Sequence, residues 1–201
     1  MIPSRQIRAV FDDAAVTVYQ AYSPEIAEPA LAAQTFVPPF KRERMTWIKP
    51  SFLWMMYRCG WAAKPGQTRV LAIRVSREGF AWALANSCGS SPAAGETEAA
   101  WKARLAASPV RVQWDPERDV RLARLEHRSI QIGLSGEAVD RYAGQWIKGI
   151  EDVTALAKDV GAEVAAGRFE EARALLPPER PFPLDPATAD FIGATPHAVR
   201  P

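Results

Sequence analysis

Cysteine and histidine are scarce in this chain, with two of each among 201 residues. Cys59 and Cys88 are too few for a disulfide framework, so reduced thiols in a cytoplasmic protein are expected. His127 and His197 stand far apart without clustered cysteines, and no metal site is expected. No apolar run approaches the roughly 18 residues of a membrane helix. The opening Met-Ile-Pro-Ser-Arg-Gln has no apolar signal-peptide core, so neither export nor a membrane is expected. The signatures of easily read enzymes are missing too. There is no Gly-x-Gly-x-x-Gly after a strand, no Walker-type phosphate loop, no Gly-x-Ser-x-Gly and no His-Glu-x-x-His. Cys88-Gly-Ser-Ser91 has no histidine placed beside it to activate a nucleophile.

Tryptophan is plentiful, and three of the seven indoles, Trp47, Trp54 and Trp61, fall between Met45 and Trp61. The same stretch carries Lys49, Tyr57 and Arg58 among apolar neighbours. Pro50 biases Lys49 toward extended backbone. Ser51 is placed to cap a short helix and Gly60 to end it. Lys49 is therefore predicted at a strand-to-helix corner. A cation beside a positive helix end favours a bound anion such as phosphate. The alternative is a core stretch from which Lys49 and Arg58 snorkel. The net charge of +2 hides a local excess: Phe40–Phe80 holds nine cations, Lys41, Arg42, Arg44, Lys49, Arg58, Lys64, Arg69, Arg74 and Arg77, against Glu43 and Glu78. This implies an anionic ligand, either a phosphorylated small molecule or nucleic acid, unless it is a solvated charged face.

The length suits one domain. Ala15–Tyr22 is rich in β-branched and aromatic residues and reads as a strand. Ser23-Pro24-Glu25 starts a helix to Gln34, with Pro29 inside it. Tyr19, Gln20 and Tyr22 thus end a strand just before a helix, where ligand groups gather; the alternative makes the tyrosines core or rim aromatics. Thr35–Arg44 is a loop, either a lid or a connection. Arg69–Val75 reads as a buried strand and Ser76 opens a helix to about Asn86. A small-residue loop, Ser87–Gly95, and a helix, Glu96–Ala107, follow. Pro109–Trp114 alternates as a strand into a charged turn, Asp115–Asp119. Val120–Leu125 and His127–Leu134 alternate as further strands. Ser135 caps a helix through Trp146, and Glu151–Ala166 and Arg168–Leu176 are helical. The expectation is one α+β domain over residues 1–176, with a mixed sheet of about five or six strands, surrounding helices and a helical C-terminal third. Residues 177–201 form a proline-rich tail that wraps the domain or is disordered.

Five motifs carry a resemblance: Arg5-Gln-Ile-Arg-Ala-Val, Val18-Tyr-Gln-Ala-Tyr-Ser-Pro-Glu-Ile-Ala, the run Met45–Arg58, Gln113-Trp-Asp-Pro-Glu-Arg and Arg128-Ser-Ile-Gln-Ile-Gly-Leu. They resemble domain-of-unknown-function family 4291, over nearly the whole chain to about Thr154. That name supplies no activity. More remotely, the order of elements resembles the ADP-ribosyltransferase fold, in particular its DNA-modifying toxin branch. Tyr19-Gln20-Ala21-Tyr22 matches its polar first-strand motif. Trp47-Ile48-Lys49-Pro50-Ser51 matches its aromatic-proline segment, with lysine in place of an arginine that holds the dinucleotide. A bidentate clamp thereby becomes a point charge.

The resemblance implies NAD across the strand ends, its pyrophosphate near Lys49 and Ser51. The nicotinamide would stack on Tyr19, Tyr22 or Trp47, and Arg58 and Arg128 would pair with phosphates or with Asp115 and Glu117. The late-strand catalytic glutamate of that fold is replaced by Gln131. Glu117 is then the nearest carboxylate to stabilise an oxocarbenium-like ribose. The implied function is NAD binding with transfer of ADP-ribose to nucleic acid or a small molecule. The alternative is a non-catalytic module for a nucleotide or single-stranded nucleic acid, with Trp47, Trp54 and Tyr57 as stacking surfaces.

Overall fold

Two runs of β-branched residues, one near the N-terminus and one at 69–76, set up the architecture by pairing with each other. The computed structural model describes residues 2–93 and 95–195. Its first half contains β1 (Arg8–Ala9), β2 (Ala15–Tyr22), α1 (Pro24–Ala33), β3 (Thr46–Ile48), α2 (Phe52–Cys59), β4 (Arg69–Ser76), α3 (Arg77–Ala85) and β5 (Ser87–Gly89). Then come α4 (Glu98–Ala107), β6 (Val110–Arg118), β7 (Arg124–Leu134), α5 (Glu137–Arg141), a π-helical turn at Tyr142–Trp146 and β8 (Ile147–Asp152). The last elements are α6 (Thr154–Ala165), α7 (Phe169–Ala174), β9 (Arg180–Pro181) and α8 (Pro186–Phe191). The chain is a single α+β domain. No helix among the described residues is long and apolar enough to cross a membrane.

The strands divide into separate sheets instead of one. An antiparallel sheet has the order β2-β4-β8, and a mixed one the order β3-β7-β6-β5, in which only β5 and β6 run parallel. A small ribbon pairs β1 with β9. The alternation of β2 sends Val16 and Val18 into a large core with Ile73 and Val75 of β4, Ile130 and Ile132 of β7, and Phe80 of α3. Tyr19 takes the other face, where Phe52, Met55 and Met56 of α2 pack with Ala157 and Val160 of α6. Period-two geometry therefore separates Tyr19 from Gln20 and Tyr22.

Several expectations are corrected. Asp115–Arg118 is not a turn; β6 runs through it, with a register shift between Pro116 and Arg118. Proline is tolerated there because β5 covers only Val110–Val112, which leaves β6 an outer edge. The expected strand Val120–Leu125 begins only at Arg124. Before it, Asp119 Oδ1 accepts from Arg121 N and Ala123 N at 2.8 and 2.9 Å and makes the turn. Ser135 does not cap a helix: Gly136 stands at the cap, and Ser135 Oγ donates to Pro109 O at 2.9 Å. Glu151 and Asp152, expected as the start of a helix, instead end the strand Ile147–Asp152, which pairs with β4. Ser87–Gly89, expected as loop, forms the short parallel strand β5. From Pro177 to Thr195 the chain wraps the domain, with Ile192 and Ala194 in the large core. Pro196, His197 and Pro201 lie outside the described residues.

Candidate functional site

Local sequence builds the corner around Lys49 as its residue types require. Ser51 Oγ accepts from Trp54 N at 3.1 Å, and Gly60 ends α2 in the left-handed conformation at φ 60°. Lys49 joins the two main sheets, because Tyr19 N–H donates to its carbonyl at 2.7 Å. Its side chain is 5% exposed, and Nζ sits 4.8 Å from the centre of the Trp54 ring. No carboxylate pairs with it among the described residues. Burial, reinforced by the neighbouring Arg58 and opposed by Asp115, brings the amine down to about 8.

A cavity of about 540 Å³ opens against this corner. β2 contributes Gln20 and Tyr22, the approach to β3 contributes Arg44, and β3 contributes Trp47. α2 contributes Trp54 and Arg58, and Gln67 and Gln131 complete the polar lining. Three cations face the space, and among the described residues no aspartate or glutamate lines it. Trp54 Nε1–H is buried with no acceptor among the described residues. Gly133 makes room for Trp47: a Cβ there would stand 2.9 Å from the indole edge and from Met45 Sδ. The surrounding positive stretch is less free than its composition implied. Arg42 pairs with Asp140, Arg69 with Glu28 and Asp152, and Arg74 with Asp12. Lys64 Nζ donates to Arg58 O at 2.7 Å.

Gln20 is the hub of a buried network. Its Nε2 faces Thr46 Oγ1 at 2.7 Å, Tyr22 Oη at 2.9 Å and Trp47 O at 3.0 Å, while Tyr142 Oη donates to its Oε1 at 2.8 Å. Burial pushes the Tyr22 phenol up to about 12. Gln20→Leu strands these partners and is expected to cost about 2–3 kcal/mol in urea denaturation, the range for leaving buried polar groups unpaired.

The predicted site residues divide into two groups. Gln20, Tyr22, Trp47, Lys49, Arg58 and Gln131 meet at the cavity. Tyr19 does not; its ring packs edge-on against Phe52 at 5.4 Å. Burial first, then Glu179 and Glu151, raises its phenol far above the usual range. Ser51 turns its hydroxyl to Glu117 Oε1 at 2.9 Å. Tyr57 is 40% exposed beneath the Arg118 guanidinium, 3.5 Å from its ring centre. Arg128 is exposed and donates to Trp114 O at 2.9 Å, outside the cavity.

Glu117 lines a second, smaller cavity of about 200 Å³ with Ser51, Arg8, Arg118, His127 and Glu179. Glu117 Oε1 also accepts from Arg118 N at 2.8 Å, while burial raises the carboxyl. Glu179 comes from the wrapped tail. Its Oε1 accepts from Phe52 N at 2.7 Å, at the first residue of α2. Burial, with Glu117 adding to it, pushes this carboxyl up to about 8. Asp115, whose charge acts on Lys49, stands behind the cavity wall, clamped by Gln113 Nε2 at 2.8 Å and by the lining Gln131 Nε2 at 2.7 Å. The alternation Gln113-x-Asp115 opposite Gln131 could have indicated it; nothing local indicates Glu179. No group of three or more His, Cys, Asp or Glu able to hold a metal occurs among the described residues.

A family model described as Domain of unknown function (DUF4291) matches residues 6–182. The chain belongs to that family. DUF4291 membership covers both cavities, including Glu179, and assigns no activity to either. No curated protein matches the chain.

Proposed function

We propose that this DUF4291 protein binds NAD in the Lys49 cavity and acts as an ADP-ribosyltransferase-like protein, with nucleic acid or a small molecule as acceptor. The observation that carries the reading is the imbalance of the cavity: Arg44, Lys49 and Arg58 face it with no lining carboxylate among the described residues. A buried cation with no counter-ion is costly, and an anionic ligand relieves that cost. Trp47, Trp54 and Tyr22 supply aromatic surface beside the charge, as a dinucleotide requires. The volume of about 540 Å³ lies in the range of small-molecule sites. In this reading Glu117 gives up the electrostatic role that the resemblance implied. Gln131 orients the ribose, and Asp115 behind it supplies the negative charge.

A second reading, a non-catalytic nucleotide or single-stranded nucleic-acid module, draws on the same wall. Its polar uncharged groups are the amides of Gln20, Gln67 and Gln131, and Met45 and Tyr57 are exposed nearby. Thermal denaturation with and without NAD tests the first reading. Saturating NAD is expected to raise Tm by several degrees, as ligand linkage requires, and Lys49→Ala to remove the shift. Lys49→Ala should itself fold, because it discards a buried unpaired charge. If NAD leaves Tm unchanged while single-stranded DNA binds with a steep salt dependence, the second reading replaces the first.

A further inference from the structure

The chain has six lysines, and their environments differ sharply. Lys41, Lys64, Lys102, Lys148 and Lys158 are exposed, whereas Lys49 is buried. Arg58 on α2 and Asp115 on β6 act on its amine, and Arg44 ahead of β3 lines the same cavity. Asp115 is occupied by Gln113 and Gln131. A buried ammonium among arginines is relieved by losing its proton, because guanidinium keeps its own at any accessible pH. The free amine left behind is a nucleophile, and desolvation beside another cation is a recognised way to activate lysine. With the amine brought down to about 8, about a tenth of the molecules carry it as the free base at pH 7. An exposed lysine reaches only about one in three thousand.

We propose that Lys49 is a nucleophilic amine that forms an imine with aldehydes carrying a phosphate group, the phosphate being held by Arg58 and Arg44. The inference rests on the anion-binding part of the reading above and is independent of ADP-ribosyl transfer. In the step, the nitrogen lone pair attacks the carbonyl carbon and a C–N bond forms. The nitrogen then gives up two protons and forms a second bond to that carbon, both C–O bonds break, and the oxygen departs with those protons as water. Nothing is oxidised or reduced, and no co-reactant is needed. The cavity supplies the path to the amine, and the remaining cations supply the steering.

The full chain incubated with pyridoxal 5′-phosphate, then reduced with borohydride and mapped by peptide mass, tests this. Lys49 is expected to be labelled at least about tenfold faster than any exposed lysine, since its larger free-base fraction outweighs its restricted access. Inorganic phosphate should slow its labelling selectively. Pyridoxal without the phosphate should label it several-fold more slowly. Arg58→Gln should reduce the Lys49 rate by about fivefold while leaving the five exposed lysines unchanged. Labelling that follows solvent exposure, with Lys49 last, overturns the proposal. So does Lys49 labelling that is indifferent both to phosphate and to Arg58→Gln. An NAD-induced rise in Tm without the Lys49 adduct defeats only this inference and leaves the NAD reading standing. The adduct without an NAD effect supports the nucleophile and defeats the NAD reading.

Discussion

A chain ended at Leu176 is expected to lose its cooperative unfolding transition, although the removed segment is proline-rich and sits outside both main sheets. What it supplies is burial and backbone pairing. β9 provides the partner strand of β1, and Phe182 N–H donates to Ile7 O at 2.9 Å. The Phe182 ring stands edge-on to Phe11 and to Phe80, both at 5.2 Å, under the Arg77 guanidinium. Further along, Ile192 enters the large core, its carbonyl accepting from Trp114 Nε1 at 2.8 Å, and Thr195 N–H donates to Arg5 O at 2.8 Å. Removing one large core side chain costs about 3 kcal/mol or more, and here several leave together. The total, about 5 kcal/mol or more, matches the entire stability of many domains. Urea denaturation followed by near-UV circular dichroism checks this. An unchanged midpoint in the shortened chain would show that the tail is an appendage. Phe182→Ala in the full chain isolates one part and is expected to cost about 2 kcal/mol, below a full core truncation because the ring is only partly buried.

What could be read in advance divides by the range of the interaction. Ser51 and Gly60 bounded α2 because capping and left-handed turns act over a few residues. The lysine corner was legible for the same reason, since Pro50 restricts its own predecessor. The strand β8 was hidden: Gly149 weakens its pattern, and its acidic end resembles the first turn of the following helix. Pairing with β4 decides it, and that pairing joins residues as far apart as Leu71 and Asp152. Glu117 was misplaced because it sits at the break in register between Pro116 and Arg118. Gln113 and Asp115 keep to the face of Gln131, but the shift after Pro116 interrupts the alternation and Glu117 meets Ser51 instead. Tyr19 was grouped with Tyr22 by proximity in sequence, where odd spacing on a strand sends them to opposite faces. Glu179 had no local signal at all, because its partner Phe52 lies 127 residues away.

That distant carboxyl sets the second large effect, a fall in stability from acid toward alkaline pH. Most carboxylates stabilise a fold by ionising; Glu179 does the opposite. Half-buried beside Glu117 at the start of α2, it is pushed from its ordinary value of 4.5 up to about 8. Between those two values the folded chain holds a proton that the unfolded chain has released. The linkage slope is therefore negative across that window: the contribution is complete below 4.5 and is lost as pH rises through about 8. Glu117, also raised by burial, works in the same direction. Arg8, Arg118 and His127 face the same cavity, and the attraction of Arg8 already acts against the shift. Lys49 has the reverse sign, because its amine is lowered to about 8 from 10.5 and its contribution grows only above 8. Urea denaturation at pH 5, 7 and 8.5 brackets the window; His127, also lowered by burial, and Lys49 oppose the carboxyl within it, so the comparison with Glu179→Gln isolates Glu179. The wild-type chain is expected to lose about 2–4 kcal/mol across that interval, an order fixed by the size of the shift and reduced by partial access of water. Glu179→Gln keeps an oxygen to accept from Phe52 N–H and cannot ionise. Its stability should match wild type at pH 5, exceed it by about 2 kcal/mol at pH 8.5, and depend much less on pH between the two. Parallel curves for the two proteins would mean that Glu179 is ionised in the native state, and the tail would then be held at α2 by a charge instead of a proton.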